Sequence, residues 1–155
     1  LTGVASRRSM SQVLEAITGA YQEIEREVSL IMFDVDHFKG INDNHGHAVG
    51  DDVLRRLAAE AKSQMRSSDL LARWGGEEFI ILTLDQSGKQ ALQLAERLRA
   101  EIEALRHPGV GQVTVSLGVS SLMMGDDVHA FIHRADMALY RAKTLGRNRA
   151  ESDFG

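Results

Sequence analysis

Apolar positions divide the chain into helix-like and strand-like segments. Met10, Val13, Leu14, Ile17, Tyr21 and Ile24 recur at helical spacing and predict an amphipathic first helix. Residues 28–34 are nearly all apolar, as expected of a central strand buried on both faces. A polar, glycine-bearing stretch follows from Asp36 to Gly50. Val53, Leu54, Leu57, Ala58, Ala61 and Met65 then mark a second helix. Asp69–Trp74 and Phe79–Leu84 read as two hairpin strands. Ala91, Leu94, Ala95, Leu98, Ile102 and Leu105 mark a third helix that stops near Pro108, the only proline. Val113, Val115, Leu117 and Val119 alternate with small or polar residues and predict a half-buried strand. Val128, Phe131, Ile132, Ala135, Leu139 and Ala142 mark a last helix, with Gly146 placed to cap it.

The resulting order is helix, strand–helix–strand–strand–helix–strand, helix. Its centre is the split βαβ, ferredoxin-like pattern, an α+β fold with a mostly antiparallel sheet flanked by helices. In that topology the first strand lies between the third and fourth and runs antiparallel to the third. The end of the first strand therefore adjoins the start of the third. Asp34 ends the former, and Glu77 and Glu78 begin the latter.

Composition narrows the options. At 155 residues one domain is expected, spanning 1–155, with enough chain for a real core. A net charge of -4 argues against a general nucleic-acid or membrane-surface binder. With no cysteine there is neither a disulfide nor a thiolate metal site. No apolar run reaches transmembrane length, and the start lacks a signal peptide's apolar core. A cytoplasmic location fits these features. The chain opens on Leu1 without an initiator Met, which we read as a module taken from a longer protein.

The segment Arg73-Trp74-Gly75-Gly76-Glu77-Glu78-Phe79 carries the most chemistry. Gly-Gly suits the positive-φ turns that join hairpin strands. Two adjacent carboxylates at such a tip are costly unless something positive sits against them, commonly a divalent cation. Asp34, closing the apolar run upstream, supplies a third acid.

Together these residues resemble the GGDEF family, the diguanylate cyclase domains of bacterial signalling. The likeness covers nearly the whole chain. It begins with Leu1-Thr2-Gly3 and Arg7-Arg8 and runs through Phe33-Asp34-Val35-Asp36-His37-Phe38-Lys39, Asn42-Asp43, Gly46-His47 and Gly50-Asp51. The Gly75–Phe79 hairpin is the namesake motif in its Glu-for-Asp form. Thr114–Val119, Ala135-Asp136, Ala138-Leu139-Tyr140, Ala142-Lys143 and Gly146-Arg147-Asn148 follow. Ser6 departs from the pattern, since the family usually has Asn before the arginine pair.

The resemblance implies a palm-type, nucleotidyl cyclase-like fold. It also implies condensation of two GTP into cyclic di-GMP and two pyrophosphates. Asp34, the Val35 carbonyl and Glu77 are then the expected ligands of one or two Mg²⁺. Glu78 is the candidate proton acceptor, although metal activation of the attacking hydroxyl would make a dedicated base unnecessary. Lys39, Lys143 and Arg147 are expected on the phosphates, helped by backbone N–H groups of the turn after Asp34. Lys143 and Arg147 equally suit a helix C-terminus as plain favourable charges. Phe38 belongs with the substrate-binding residues, and Asn42 and Asp51 match the guanine-reading pair. His47 either lines the nucleotide pocket or is a structural or exposed histidine. His45 and His47 have no third ligand at a zinc spacing.

Arg66-Ser67-Ser68-Asp69 matches the family's RxxD inhibitory motif, with Arg97 completing it. Arg offers a donor fork to guanine O6 and N7, and Asp accepts from N1 and N2. A helix-end ion pair is the simpler reading of the same residues. One domain holds one GTP, so the two-fold symmetric product calls for a homodimer, with an upstream sensory or dimerising segment to assemble it. The competing reading is a catalytically silent module that binds cyclic di-GMP or GTP. A polymerase of related palm architecture is disfavoured by the small size and acidic balance.

Overall fold

The computed structural model describes residues 4–24 and 26–154, so the Leu1-Thr2-Gly3 motif lies outside the described residues. The elements are α1 (Arg7–Ile24), β1 (Val28–Val35), α2 (Phe38–His45), α3 (His47–Gln64), β2 (Leu70–Arg73), β3 (Glu78–Leu84), α4 (Gly88–Ala104), β4 (Val115–Ser121), α5 (Val128–Thr144) and β5 (Arg149–Ser152). The sheet order is β2-β3-β1-β4-β5. β1 pairs antiparallel with both β3 and β4, and β4 pairs parallel with β5. The expected split βαβ core is therefore present, extended by one short strand.

β1 is buried along its full length because two layers cover it. Ile31, Phe33 and Val35 join a cluster with Val53, Leu54 and Leu57 of α3 and Leu94, Ala95 and Leu98 of α4. Leu30 and Met32 join a second cluster with Met10 and Leu14 of α1 and Phe131 and Leu139 of α5. A strand covered on both faces has no polar side, which is why its sequence reads as an unbroken apolar run. Phe33 and Phe79, cross-strand partners, stack with ring centroids 5.2 Å apart. That pair fixes the register one step before Asp34 pairs with Glu78.

Three expectations need correction: the burial of β4, the φ of the hairpin glycines and the cap of α5. β4 is buried on both faces from Val115 to Ser120 rather than half-buried, because small Ser116, Gly118 and Ser120 let α5 pack against the face opposite Val115, Leu117 and Val119. The polar stretch 36–50 holds α2 and the first turn of α3. Buried Phe38 and partly buried Ile41 anchor α2 on the core, and eight residues are too few for a readable period. β5 escaped notice because Arg149-Ala150-Glu151-Ser152 lacks apolar alternation, and it is held by its ladder with β4 instead. Gly75 and Gly76 do not take a left-handed φ. Gly75 serves close approach, since a Cβ there would lie 3.0 Å from Glu78 Oε1. The Trp74 and Gly75 N–H groups both donate to the Glu78 carbonyl, at 2.8 and 3.3 Å. The C-cap of α5 is Leu145 rather than Gly146, which follows it at φ 125°.

Candidate active site

Asp34 and Glu78 face each other across the β1–β3 ladder, as the topology requires. Asp34 is 3% exposed. Its Oδ2 accepts from Lys143 Nζ at 2.5 Å, a contact spanning 109 residues from β1 to the last turn of α5. Its Oδ1 is buried with no hydrogen-bond partner among the described residues. Burial pushes the Asp34 carboxyl up to about 6. Lys143 opposes that rise, and the charges of Glu77 and Glu78 add to it.

A cleft of about 180 Å³ gathers Asp34, Val35, Asp36, His37, Phe38, Lys39, Glu77, Lys143 and Arg147. Seven of the residues expected at a cation–triphosphate site thus come together: Asp34, Val35, Phe38, Lys39, Glu77, Lys143 and Arg147. Glu77 and Glu78 part company. Glu78 lines a neighbouring cleft of about 390 Å³ with Arg7, Trp74, His133 and Asp136. There the Arg7 guanidinium sits 4.2 Å from the Trp74 ring centroid and donates to the Trp74 carbonyl at 3.1 Å.

The donor set fits a hard divalent cation. A buried carboxylate oxygen without a partner is costly unless something positive meets it. Asp34 and Glu77 line one cleft, and both supply oxygen. Among the described residues no three His, Cys, Asp or Glu side chains converge on one metal position.

Lys39 is exposed and paired with Asp43 at 2.7 Å, one helical turn on. His37 begins α2 at φ 57° without a side-chain cap, so no side chain occupies the first-turn N–H donors. Asn42 and Gly50 meet at the α2–α3 corner. A Cβ on Gly50 would fall 1.9 Å from Asn42 Oδ1 and 3.2 Å from Phe38 Cζ. Asn42 Oδ1 is buried and unpartnered among the described residues. Asp51, next to Gly50, is exposed, and so is His47, which opens α3 outside the residues lining the cleft.

The RxxD segment lies apart from both clefts. The alternative helix-end ion pair between Arg66 and Asp69 side chains is not formed. Asp69 Oδ2 accepts from the Arg66 backbone N–H at 2.9 Å, while the Arg66 guanidinium donates to the Leu84 carbonyl at 3.0 Å. Asp69 Oδ1 is buried and unpartnered among the described residues. Arg97 on α4 donates to Gln64 Oε1 at 3.2 Å, which brings it to the end of α3, two residues before Arg66.

Sequence reasoning missed two features. Arg73 clasps the hairpin tip, its Nη2 donating to the Gly76 carbonyl at 2.5 Å and its Nε to the Gly75 carbonyl at 3.3 Å. Asp36, Thr114 and Ser116 form a buried hydroxyl–carboxylate cluster. Its only advance signal was the pair of small hydroxyl residues alternating with Val115 and Leu117.

A family profile described as "Diguanylate cyclase, GGDEF domain" matches residues 1–149. The chain is 42% identical over 155 residues to the diguanylate cyclase VdcA of Vibrio cholerae, covering 96% of this chain and 44% of that one. It is 40% identical over 154 residues to the diguanylate cyclase DgcP of Pseudomonas aeruginosa, covering 97% and 23%. It thus spans less than half the length of these curated relatives. Among solved structures, the GGDEF domain of DgcB from Caulobacter crescentus in complex with c-di-GMP superposes with a TM-score of 0.93 at 31% identity, covering 99% and 94%. The active GGEEF domain of a diguanylate cyclase from Vibrio cholerae gives 0.91 at 35%, covering 96% and 97%. Among the described residues, no helix is long and apolar enough to cross a membrane.

Proposed function

Because the chain belongs to the GGDEF family of diguanylate cyclase domains, we propose that it condenses two GTP into cyclic di-GMP and two pyrophosphates as a homodimer. The observation that carries this reading is Asp34: a buried carboxylate with one oxygen unpartnered among the described residues, opposite Glu78, in one cleft with Glu77, Lys143 and Arg147.

Asp34, the Val35 carbonyl and Glu77 are the residues to hold Mg²⁺. When bound, that ion neutralises triphosphate charge and acidifies the attacking hydroxyl. Lys143, Arg147 and Lys39 place three cations where the phosphates would lie, and Lys39 must leave Asp43 to take part. The unpaired N–H groups opening α2 add donors aimed at an anion. Asn42 and Asp51 read the guanine edge. The 3′-hydroxyl of one GTP then attacks the α-phosphorus of the other, and pyrophosphate leaves from each. Glu78, in the adjoining cleft, is placed to accept the hydroxyl proton. Two domains facing each other across a two-fold axis bring each hydroxyl to the opposite phosphorus, removing most of the entropic barrier.

Product feedback belongs to the same reading. The exposed Arg66 fork, the spare Asp69 oxygen and Arg97 beside Gln64 lie together at the α3–α4 end. A bound guanine must draw Arg66 off the Leu84 carbonyl. The DgcB neighbour was solved with c-di-GMP, which favours a product site on this fold.

Incubation with GTP and Mg²⁺, with product identified by mass spectrometry, tests the activity. Cyclic di-GMP that disappears in Asp34→Ala supports it, and nucleotide binding without product makes the domain a sensor. Unchanged product affinity in Arg66→Ala would end the feedback proposal.

A further inference from the structure

Asp36 is a buried carboxylate that the chemistry above leaves without a task. It stands two residues beyond Asp34 and is 6% exposed. Its oxygens accept from Ser116 Oγ at 2.6 Å, Thr114 Oγ1 at 2.7 Å and the Asn148 backbone N–H at 3.0 Å. Its own N–H donates to the Thr114 carbonyl at 2.9 Å. The two hydroxyls sit at the start of β4. Asn148 ends the turn that leaves α5. One carboxylate therefore ties together the end of β1, the start of β4 and the α5–β5 turn.

That turn is strained. Gly146, Arg147 and Asn148 follow one another at φ 125°, 65° and 47°. L side chains disfavour the left-handed region, and two in succession persist only where the surroundings hold them there. Four bonds do so. The Arg147 N–H donates to the Ala142 carbonyl at 2.9 Å, and the Asn148 N–H donates to Asp36. The Asn148 side chain accepts from Arg99 Nη1 at 3.1 Å and donates to Glu103, both on α4. The strained turn presents Arg147 to the cleft that holds Asp34, Glu77 and Lys143.

We propose that Asp36 is a positioning residue: by bonding the Asn148 N–H it keeps the Arg147 turn in the left-handed conformation that directs the guanidinium to the triphosphate. This rests on the reading of Arg147 as a phosphate ligand. Asp36 lines the cleft, but its oxygens are engaged by Ser116, Thr114 and the Asn148 N–H. A purely structural carboxylate would lower stability without acting through Arg147.

A double-mutant cycle separates the two. Wild type, Asp36→Asn, Arg147→Ala and the double variant are titrated by calorimetry with Mg²⁺ and 3′-deoxy-GTP, which lacks the attacking hydroxyl. Asp36→Asn is expected to bind about tenfold more weakly, Arg147→Ala at least as weakly, and the double variant no worse than Arg147→Ala. Thr114→Val, which removes one donor and keeps the carboxylate, is expected to give a smaller loss that also vanishes beside Arg147→Ala. It serves if Asp36→Asn does not fold. Amide exchange at Asn148 is expected to quicken in both variants. A loss that adds in full to that of Arg147→Ala, or wild-type affinity in Asp36→Asn, overturns the proposal. Absence of analogue binding by wild type overturns it together with the Arg147 reading. Cyclic product is assayed separately, so binding without turnover removes the cyclase activity alone.

Discussion

Asp34 and Lys143 meet at 2.5 Å across 109 residues, joining the end of the central strand to the last turn of α5. The ammonium does not offset the burial of its partner. The Asp34 carboxyl still rises from 3.8 to about 6, first because of burial, with Glu77 and Glu78 adding repulsion. Between about pH 4 and pH 6 the folded protein therefore holds a proton that the unfolded chain has released. Folding is disfavoured progressively as pH rises through that window, and the cost is complete above it. In metal-free protein, Asp34→Asn is expected to gain stability relative to wild type between pH 4 and 6 and to hold that gain above. Urea denaturation across pH checks this; a difference that stays flat through the window would refute it.

Glu77 and Glu78 are adjacent in sequence but line different clefts. Glu77→Gln is expected to raise the Mg²⁺ concentration needed for half-maximal turnover by tenfold or more. Glu78→Gln is expected to lower kcat and change its pH profile, with a smaller effect on Mg²⁺ dependence. Steady-state kinetics at varied Mg²⁺ and pH distinguish them, and identical defects would show that the clefts do not divide the labour.

Gly50 leaves room for the Asn42 side chain. A Cβ there would lie 1.9 Å from Asn42 Oδ1 and must push the amide aside. Gly50→Ala inside a helix carries a propensity gain of about 1 kcal/mol, so the fold is expected to persist. GTP affinity is expected to fall about tenfold or more, with narrower discrimination against ATP. Competition binding with both nucleotides is the check.

Gly118 is where β4 and α5 touch through their backbones. A Cβ would meet the Ala135 carbonyl oxygen at 2.1 Å and the Leu139 nitrogen at 2.3 Å, neither of which can rotate away. Gly118→Ala is expected to destabilise the domain by about 3 kcal/mol or more, since overpacking forces whole elements apart. Thermal melting measures it.

If two facing domains share one reaction, turnover per domain depends on encounter. Fusion of a parallel coiled coil ahead of Leu1 is expected to raise specific activity and abolish its dependence on protein concentration. No gain in the fused protein would count against the shared site.

Much of this was legible in the chain. Unbroken burial of residues 28–35 and the helical stripes follow from hydrophobic period alone, because period reports how many faces an element must bury; the alternation near Val115 marked a strand but understated its burial, since Ser116, Gly118 and Ser120 are covered by α5. Those elements in that order allow few topologies, and the chosen one places Asp34 beside the glutamate pair. What local pattern could not carry was decided by tertiary contact. α2 forms because Phe38 and Ile41 find the core, β5 because β4 offers an open ladder, and Gly75 of the hairpin lies close to the Glu78 side chain without a left-handed φ. Asp36 reached across to Asn148 because a buried polar group takes whichever partner the packed neighbours bring within reach. Periodicity is a property of consecutive residues and can be read before folding. The partner of a buried charge is a property of distance in space, which exists only once the layers have closed.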